Sequence, residues 1–187
     1  MLQTPLRFSQ DILKKSIVQG DHVIDATVGN GNDTTTLAAA VGQLGKVYGF
    51  DIQKDAIEAT KEKLLLTDLS SQTELIQDGH ENIQHYIAED ETISAATFNL
   101  GYLPSGDKSI ITQPETTISA IEQCLTRLRK GGIVSVMIYS GHEGGQEEKE
   151  AVSTFVTQLP QETYQVLEYK YVNQKNNPPF LYLIEKR

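Results

Sequence analysis

The segment Asp25-Ala26-Thr27-Val28-Gly29-Asn30-Gly31-Asn32 joins an apolar run directly to a helical pattern. His22 to Thr27 is short, β-branched and apolar, as a strand buried on both faces should be. Asp33 to Val41 repeats its apolar residues at helical spacing. A strand that turns on glycines into a helix is the first half of a βαβ unit. The next strand must then lie parallel to the first, and helices must cover the sheet. The glycines also let a ligand approach the backbone at the carboxyl end of the strand, the binding edge of an open α/β sheet.

The alternation continues along the chain. An opening helix spans Leu6 to Val18. Strands are predicted at Lys46 to Asp51, Glu74 to Asp78, Ala95 to Leu100 and Ile133 to Tyr139. Helices are predicted at Lys54 to Leu66, through Gln84 and Ile87, at Glu115 to Arg129, and at Glu147 to Leu159. Gly131 and Gly132 are placed to cap the helix before them, and the strand after them, the most apolar, is placed centrally. Tyr164 to Tyr171 and Phe180 to Glu185 follow with no helix between them, so they pair antiparallel at one edge. A dinucleotide-binding fold ends instead in parallel βα units. The expected architecture is therefore a single domain over residues 1–187. Its fold is α/β, a Rossmann-like class I methyltransferase with a seven-stranded, mostly parallel sheet, an antiparallel edge strand and helices on both faces.

Composition narrows the surroundings. No apolar run is long enough to span a bilayer, no secretory signal opens the chain, and the lone Cys124 sits at a helical core position, which fits a cytoplasmic protein. A net charge of −9 argues against DNA and broad polyanion binding. Local basic groups remain at Arg127, Arg129 and Lys130, and at Lys170, Lys175, Lys186 and Arg187. Edge strands leave room for a homodimer. Dispersed histidines and the absence of a cysteine pair leave no metal-ligand spacing.

Successive strand ends carry polar groups suited to one extended ligand. Asp25 holds the glycine turn or faces a ligand cation, and Thr27, Gly29, Asn30, Gly31, Asn32 and Asp33 surround the turn. Thr34 stands where a G-x-G-x-x-G motif has its third glycine, which counts against NAD. Asp51 ends the second strand, placed to accept ribose hydroxyls, with Gln53 beside it. Asp78 and His80 end the third, placed to meet an adenine. Asn99, Leu100, Gly101 and Tyr102 end the fourth, next to where a transferred group would lie.

The blocks VIDATVGNGNDT, VYGFDIQ, LIQDGHENI, FNLGYLPSGDKSI, YSGHEGGQEE and NQKNNPPFLYLIEK, in this order over nearly the whole chain, resemble the rRNA methylase family of small S-adenosylmethionine-dependent enzymes. The resemblance implies that Asn30, Asp51, Gln53, Asp78 and His80 bind S-adenosyl-L-methionine and that Asn99 to Tyr102 line the transfer site. It also implies N-methylation of the aminomethyl group of 5-aminomethyl-2-thiouridine at tRNA wobble position 34, with the anticodon stem-loop as partner.

Chemistry assigns further roles. An amine must react unprotonated, so Asn99 would orient it by accepting its N–H, Tyr102 would stack or wall the pocket, and His142 in a glycine-rich loop would handle protons. The loop carrying Lys175, Asn177, Pro178 and Phe180 is read as facing RNA, with Lys175 for phosphate and Phe180 for stacking. Glu143, Glu147 and Glu148 read as a solvated acidic helix start. Competing readings are an rRNA or small-molecule methyltransferase, a non-catalytic nucleotide-binding protein and a nicotinamide oxidoreductase.

Overall fold

The computed structural model describes residues 1–103, 110–141 and 144–187. Seven strands form one sheet: β1 (His22–Asp25), β2 (Lys46–Phe50), β3 (Thr73–Ile76), β4 (Ile93–Leu100), β5 (Leu128–Ile138), β6 (Tyr164–Tyr169) and β7 (Phe180–Lys186). Their order is β3-β2-β1-β4-β5-β7-β6. The order in which successive strands are added reverses between the parallel neighbours β1 and β4, which opens a crevice at the carboxyl ends of those strands. The middle strand is β4, with β5 beside it. β7 runs antiparallel to both β5 and β6, so it lies one place in from the edge.

Helices α1 (Pro5–Ser16), α2 (Asn32–Val41), α3 (Lys54–Leu66), α4 (Pro114–Arg127) and α5 (Gly145–Thr157) cover the sheet, with a 3-10 turn at His80–His85. Neighbouring strand residues belong to opposite cores. Val23, Val47 and Ala95 join Leu13, Leu37 and Leu64, while Ile24, Tyr48 and Ala96 join Ile83, Ile121 and Leu125. This two-sided burial explains why the parallel strands read as unbroken apolar runs. Cys124 lies in the second core, where burial raises its thiol well above the ordinary value. No helix among the described residues is long and apolar enough to cross a membrane.

Two local expectations change. Gly131 and Gly132 do not cap α4; Leu128, in extended conformation, ends that helix directly after Arg127. The two glycines lie inside β5, in a bulge where pairing jumps from Ile93–Leu128 to Ala95–Ile133, and Gly131 takes φ +74° to make the extra residues fit. Arg127 turns inward toward the carbonyls of Gln123 and Ile87 instead of joining a surface basic group.

Gly31 shows how tightly the first turn is built. Its φ is +71°, and a Cβ there would come within 2.5 Å of Thr60 Oγ1 on α3. Gly31→Ala is therefore expected to cost roughly 2–4 kcal/mol through backbone strain and overpacking. Thermal unfolding should show a Tm about 5–15 °C lower; an unchanged Tm would mean that the turn and α3 are free to separate.

Candidate functional site

A cleft of about 840 Å³ opens along the carboxyl ends of β1, β2 and β4. That volume suits a nucleoside-sized ligand together with a second group. Its floor and walls include Thr27, Gly29, Asn30, Asn32 and Asp33 from the first turn. They also include Asp51 and Gln53, Asp78 and His80, and Asn99, Leu100, Gly101 and Tyr102. Thus four strand ends that are distant in sequence meet in one cavity.

Hydrogen bonds fix the polar groups. The Gly29 and Gln53 backbone N–H groups donate to the two Asp51 oxygens at 2.8 and 2.9 Å. They orient the carboxylate while leaving lone pairs on both oxygens for a vicinal diol. Ile52, largely exposed, flanks it as an apolar surface for a ring. Asp78 accepts from the Gly79 N–H, the Asn82 amide and the Tyr86 hydroxyl. Those bonds, Tyr86's first, hold its carboxyl below the ordinary value.

His80 is buried, and its Nδ1 lies 3.0 Å from the Ala26 carbonyl, which requires Nδ1–H as donor. Burial lowers the imidazole pKa, so the ring is neutral, and its Nε2 is left as an acceptor with no partner among the described residues.

The transfer side is organised around Asn99. Its N–H donates to Thr27 Oγ1 at 2.7 Å and its Nδ2 donates to Asp33 Oδ2 at 2.8 Å, while Gln10 on α1 donates to Asp33 Oδ1 at 2.9 Å. With one Nδ2 hydrogen given to Asp33, Asn99 Oδ1 is the side chain's remaining acceptor. Beyond it the cleft is walled by Tyr102, Ile110, Ile111, Tyr139, Asn177 and Pro179. Tyr102 is held there by a bridge to Ile111.

Some expected site residues lie elsewhere. Asp25 is fully buried beneath the turn, accepting from Thr34 Oγ1 at 2.6 Å and the Thr27 N–H at 3.2 Å, so it supports the loop rather than lining the cleft. Gly31 faces Thr60. Phe180 is in the core, edge-on to Tyr182, because β7 is an interior strand; it cannot stack on a base. Pro178 and the exposed Lys175 are off the cleft wall, whereas Asn177 is on it. His142 and Glu143 lie outside the described residues.

Other residues were not singled out from sequence. Tyr139 at the end of β5 follows the same strand-end rule as Asp51 and was findable by it. Leu6 and Gln10 precede the sheet and gave no signal. Glu148 is not solvated. It is buried on α5 and accepts from Thr112 Oγ1 at 2.6 Å and Thr117 Oγ1 at 2.7 Å, while the Gly101 N–H donates to Thr112 Oγ1. This buried carboxylate ties α5, the start of α4 and the end of β4 behind the transfer wall. Among the described residues no cluster of His, Cys, Asp or Glu could hold a metal ion.

Known proteins share this arrangement. The family model described as "Putative rRNA methylase" matches residues 47–185. The chain belongs to that family. It is 38% identical over 183 residues to the tRNA (mnm(5)s(2)U34)-methyltransferase, chloroplastic, of Arabidopsis thaliana, covering 94% of this chain and 67% of the plant protein. A "putative rRNA-methylase" from Clostridium thermocellum superposes with a TM-score of 0.97 at 47% identity, each chain covered 100%. A "putative methyltransferase" from Streptococcus mutans, solved in complex with SAH, gives 0.91 at 45% identity, also with both chains covered 100%. A demethylmenaquinone methyltransferase of Bacillus mycoides is 35% identical over only 82 residues, 44% of this chain and 33% of that enzyme.

Two outcomes test the site. Asp51→Ala removes the carboxylate aimed at the diol and should weaken nucleoside-ligand binding by roughly 1–3 kcal/mol; unchanged affinity in calorimetry would place the ribose elsewhere. Burial, then the charge of Asp33, raises the Asp25 carboxyl to about 7. The folded protein thus keeps a proton that the unfolded chain has already released. The stabilisation is complete below the unfolded pKa near 3.8 and is lost as pH rises through about 7. Ligand-free protein should lose about 1 kcal/mol per pH unit between pH 5 and 7. Asp25→Asn should flatten that slope in denaturant titrations, and an equal slope in both proteins would remove Asp25 as its source.

Proposed function

We propose that this chain methylates the aminomethyl nitrogen of 5-aminomethyl-2-thiouridine at wobble position 34 of tRNA, in the cytoplasm, recognising the anticodon stem-loop. The observation that carries the reading is the 38% identity to the plant wobble-uridine enzyme over 94% of this chain. The match to demethylmenaquinone methyltransferase is confined to 44% of it. The chain is an S-adenosylmethionine-dependent methyltransferase of the class I fold.

The donor set fits that cofactor. Asp51 offers a pre-oriented diol acceptor, and Ile52 and Asp78 flank the space for an adenine. Asn30, Asn32, Asp33 and Gln53 line the rest of the cofactor half. Bound there, the cofactor would supply an electrophilic methyl on a sulfonium to the amine nitrogen, and the methylated ammonium would give its proton to solvent on leaving.

The protein's share of this chemistry is positioning. Asn99 Oδ1 accepts one amine N–H and holds the nitrogen lone pair in line, its rotamer fixed by Asp33 and its backbone anchored to Thr27. Tyr102, Ile111 and Tyr139 line the acceptor side with largely apolar surface, which disfavours the ammonium and favours the reactive neutral amine. Burial and the charge of Asp33 raise the Tyr139 pKa, so its hydroxyl remains protonated at neutral pH.

The test is transfer from labelled S-adenosylmethionine to tRNA carrying 5-aminomethyl-2-thiouridine, read by mass analysis of the nucleosides. One added methyl on that nucleoside is the expected result. Label appearing only on rRNA or on small amines would overturn the reading.

A further inference from the structure

An acidic enzyme that binds an RNA stem needs a local surface on which the phosphate charge is welcome. Several of the described cations are unsuitable. Lys46, Lys54 and Lys170 are paired with Glu74, Glu58 and Glu168, Lys63 donates to Asn30 O and Asn32 Oδ1, and Arg127 is buried. One surface gathers exposed cations on a single helix that also lines the cleft. Arg7, Lys14 and Lys15 on α1, and Lys130 in the β5 bulge, are all exposed. None of the four is in an ion pair among the described residues.

Of the two nearby carboxylates, Asp21 is paired with a cation, whereas Asp11 is bonded, among the described residues, only to a neutral amide and keeps its charge. Asp11 accepts from Gln3 Nε2 at 2.6 Å, and Asp21 accepts from the Val18 N–H at 2.9 Å and from Arg129 at 3.4 Å. Arg129 also donates to Ser16 O, which joins the end of α1 to the bulge that exposes Lys130.

Helix geometry connects this surface to the cleft. At 100° per residue, Arg7 and Lys14 lie almost on one line along α1, about 10 Å apart on its axis. Leu6 and Gln10, on the neighbouring stripe of the same helix, line the cleft. A strand of RNA whose nucleotide enters beside Leu6 and Gln10 therefore has its backbone directed onto Arg7 and along the helix.

We infer that the solvent face of α1, with Arg7, Lys14 and Lys15, and with Lys130 beyond its end, is a track for the phosphate backbone of the RNA stem that flanks the target nucleotide. This rests on the tRNA reading above. Charge complementarity selects the occupant: a chain of net charge −9 repels an anionic stem over most of its surface, and the unpaired basic stripe attracts it here.

The test compares wild type, Arg7→Glu/Lys14→Glu/Lys15→Glu, Asp11→Lys and the exposed control Lys61→Glu on α3. KM for undermodified tRNA and Kd for an anticodon stem-loop RNA are measured over a salt series, with SAH affinity as the check on folding. The triple variant should raise both constants at least tenfold and lower the steepness of the salt dependence by about two to three, with SAH affinity kept. Asp11→Lys should tighten RNA binding severalfold. If wild type methylates tRNA and the triple variant matches it, or if Lys61→Glu weakens binding as much, the track is refuted while the substrate reading stands. If wild type transfers no methyl to tRNA, the substrate reading fails and the track with it.

Discussion

The buried carboxyl of Asp25 is the point on which the site's geometry rests. It receives the Thr34 hydroxyl from α2 and the Thr27 N–H from the turn, so strand, turn and helix are joined at one side chain. Thr27 in turn receives the Asn99 N–H from β4, and Asn99 reaches back to Asp33 on α2. A carboxyl removed from water tolerates charge poorly, and its pKa near 7 reflects that. Its two hydrogen bonds and the position beneath the cleft keep it at a place where a ligand cation would favour the ionised form.

α3 fixes the outer side of the same turn. Thr60 fills the space beside Gly31 and donates to Gly29 O, and Lys63 donates to Asn30 O and to Asn32 Oδ1. The loop is thus held from below by Asp25 and from outside by two residues of a helix that contributes Gln53 at its N-cap. Asp51 meets it from a third direction through Gly29 N–H. Such a loop is ordered before any ligand arrives, which reduces the entropy lost on binding.

The parallel strands, the helices between them and the polar residue at each strand end were legible in sequence because two-sided burial and strand-end placement leave a pattern in the chain itself. What was hidden depended on neighbours far away in sequence. Glu148 reads as one more acid at a helix start until Thr112 and Thr117 are seen to surround it. Phe180 reads as a loop aromatic until β7 is placed between β5 and β6. Gly131 and Gly132 have the composition of a helix cap, and only the jump in pairing with β4 reveals a bulge. Gln10 had no signal at all, since its role comes from α1 lying against α2.

α1 is held by parts of the chain far from it in sequence. Ser9 shares a buried hydrogen bond of 2.6 Å with Ser135, Phe8 stacks on Tyr169 at 4.4 Å, and the hydroxyls of Tyr169 and Tyr171 both donate to Gln3 O. The β1–α2 turn forms from contiguous residues, whereas the wall carrying Leu6 and Gln10 is fully held only once β5, β6 and β7 are in place. Closing the sheet on its antiparallel strand is therefore also the event that sets the wall of α1 beside the glycine turn and completes the cleft.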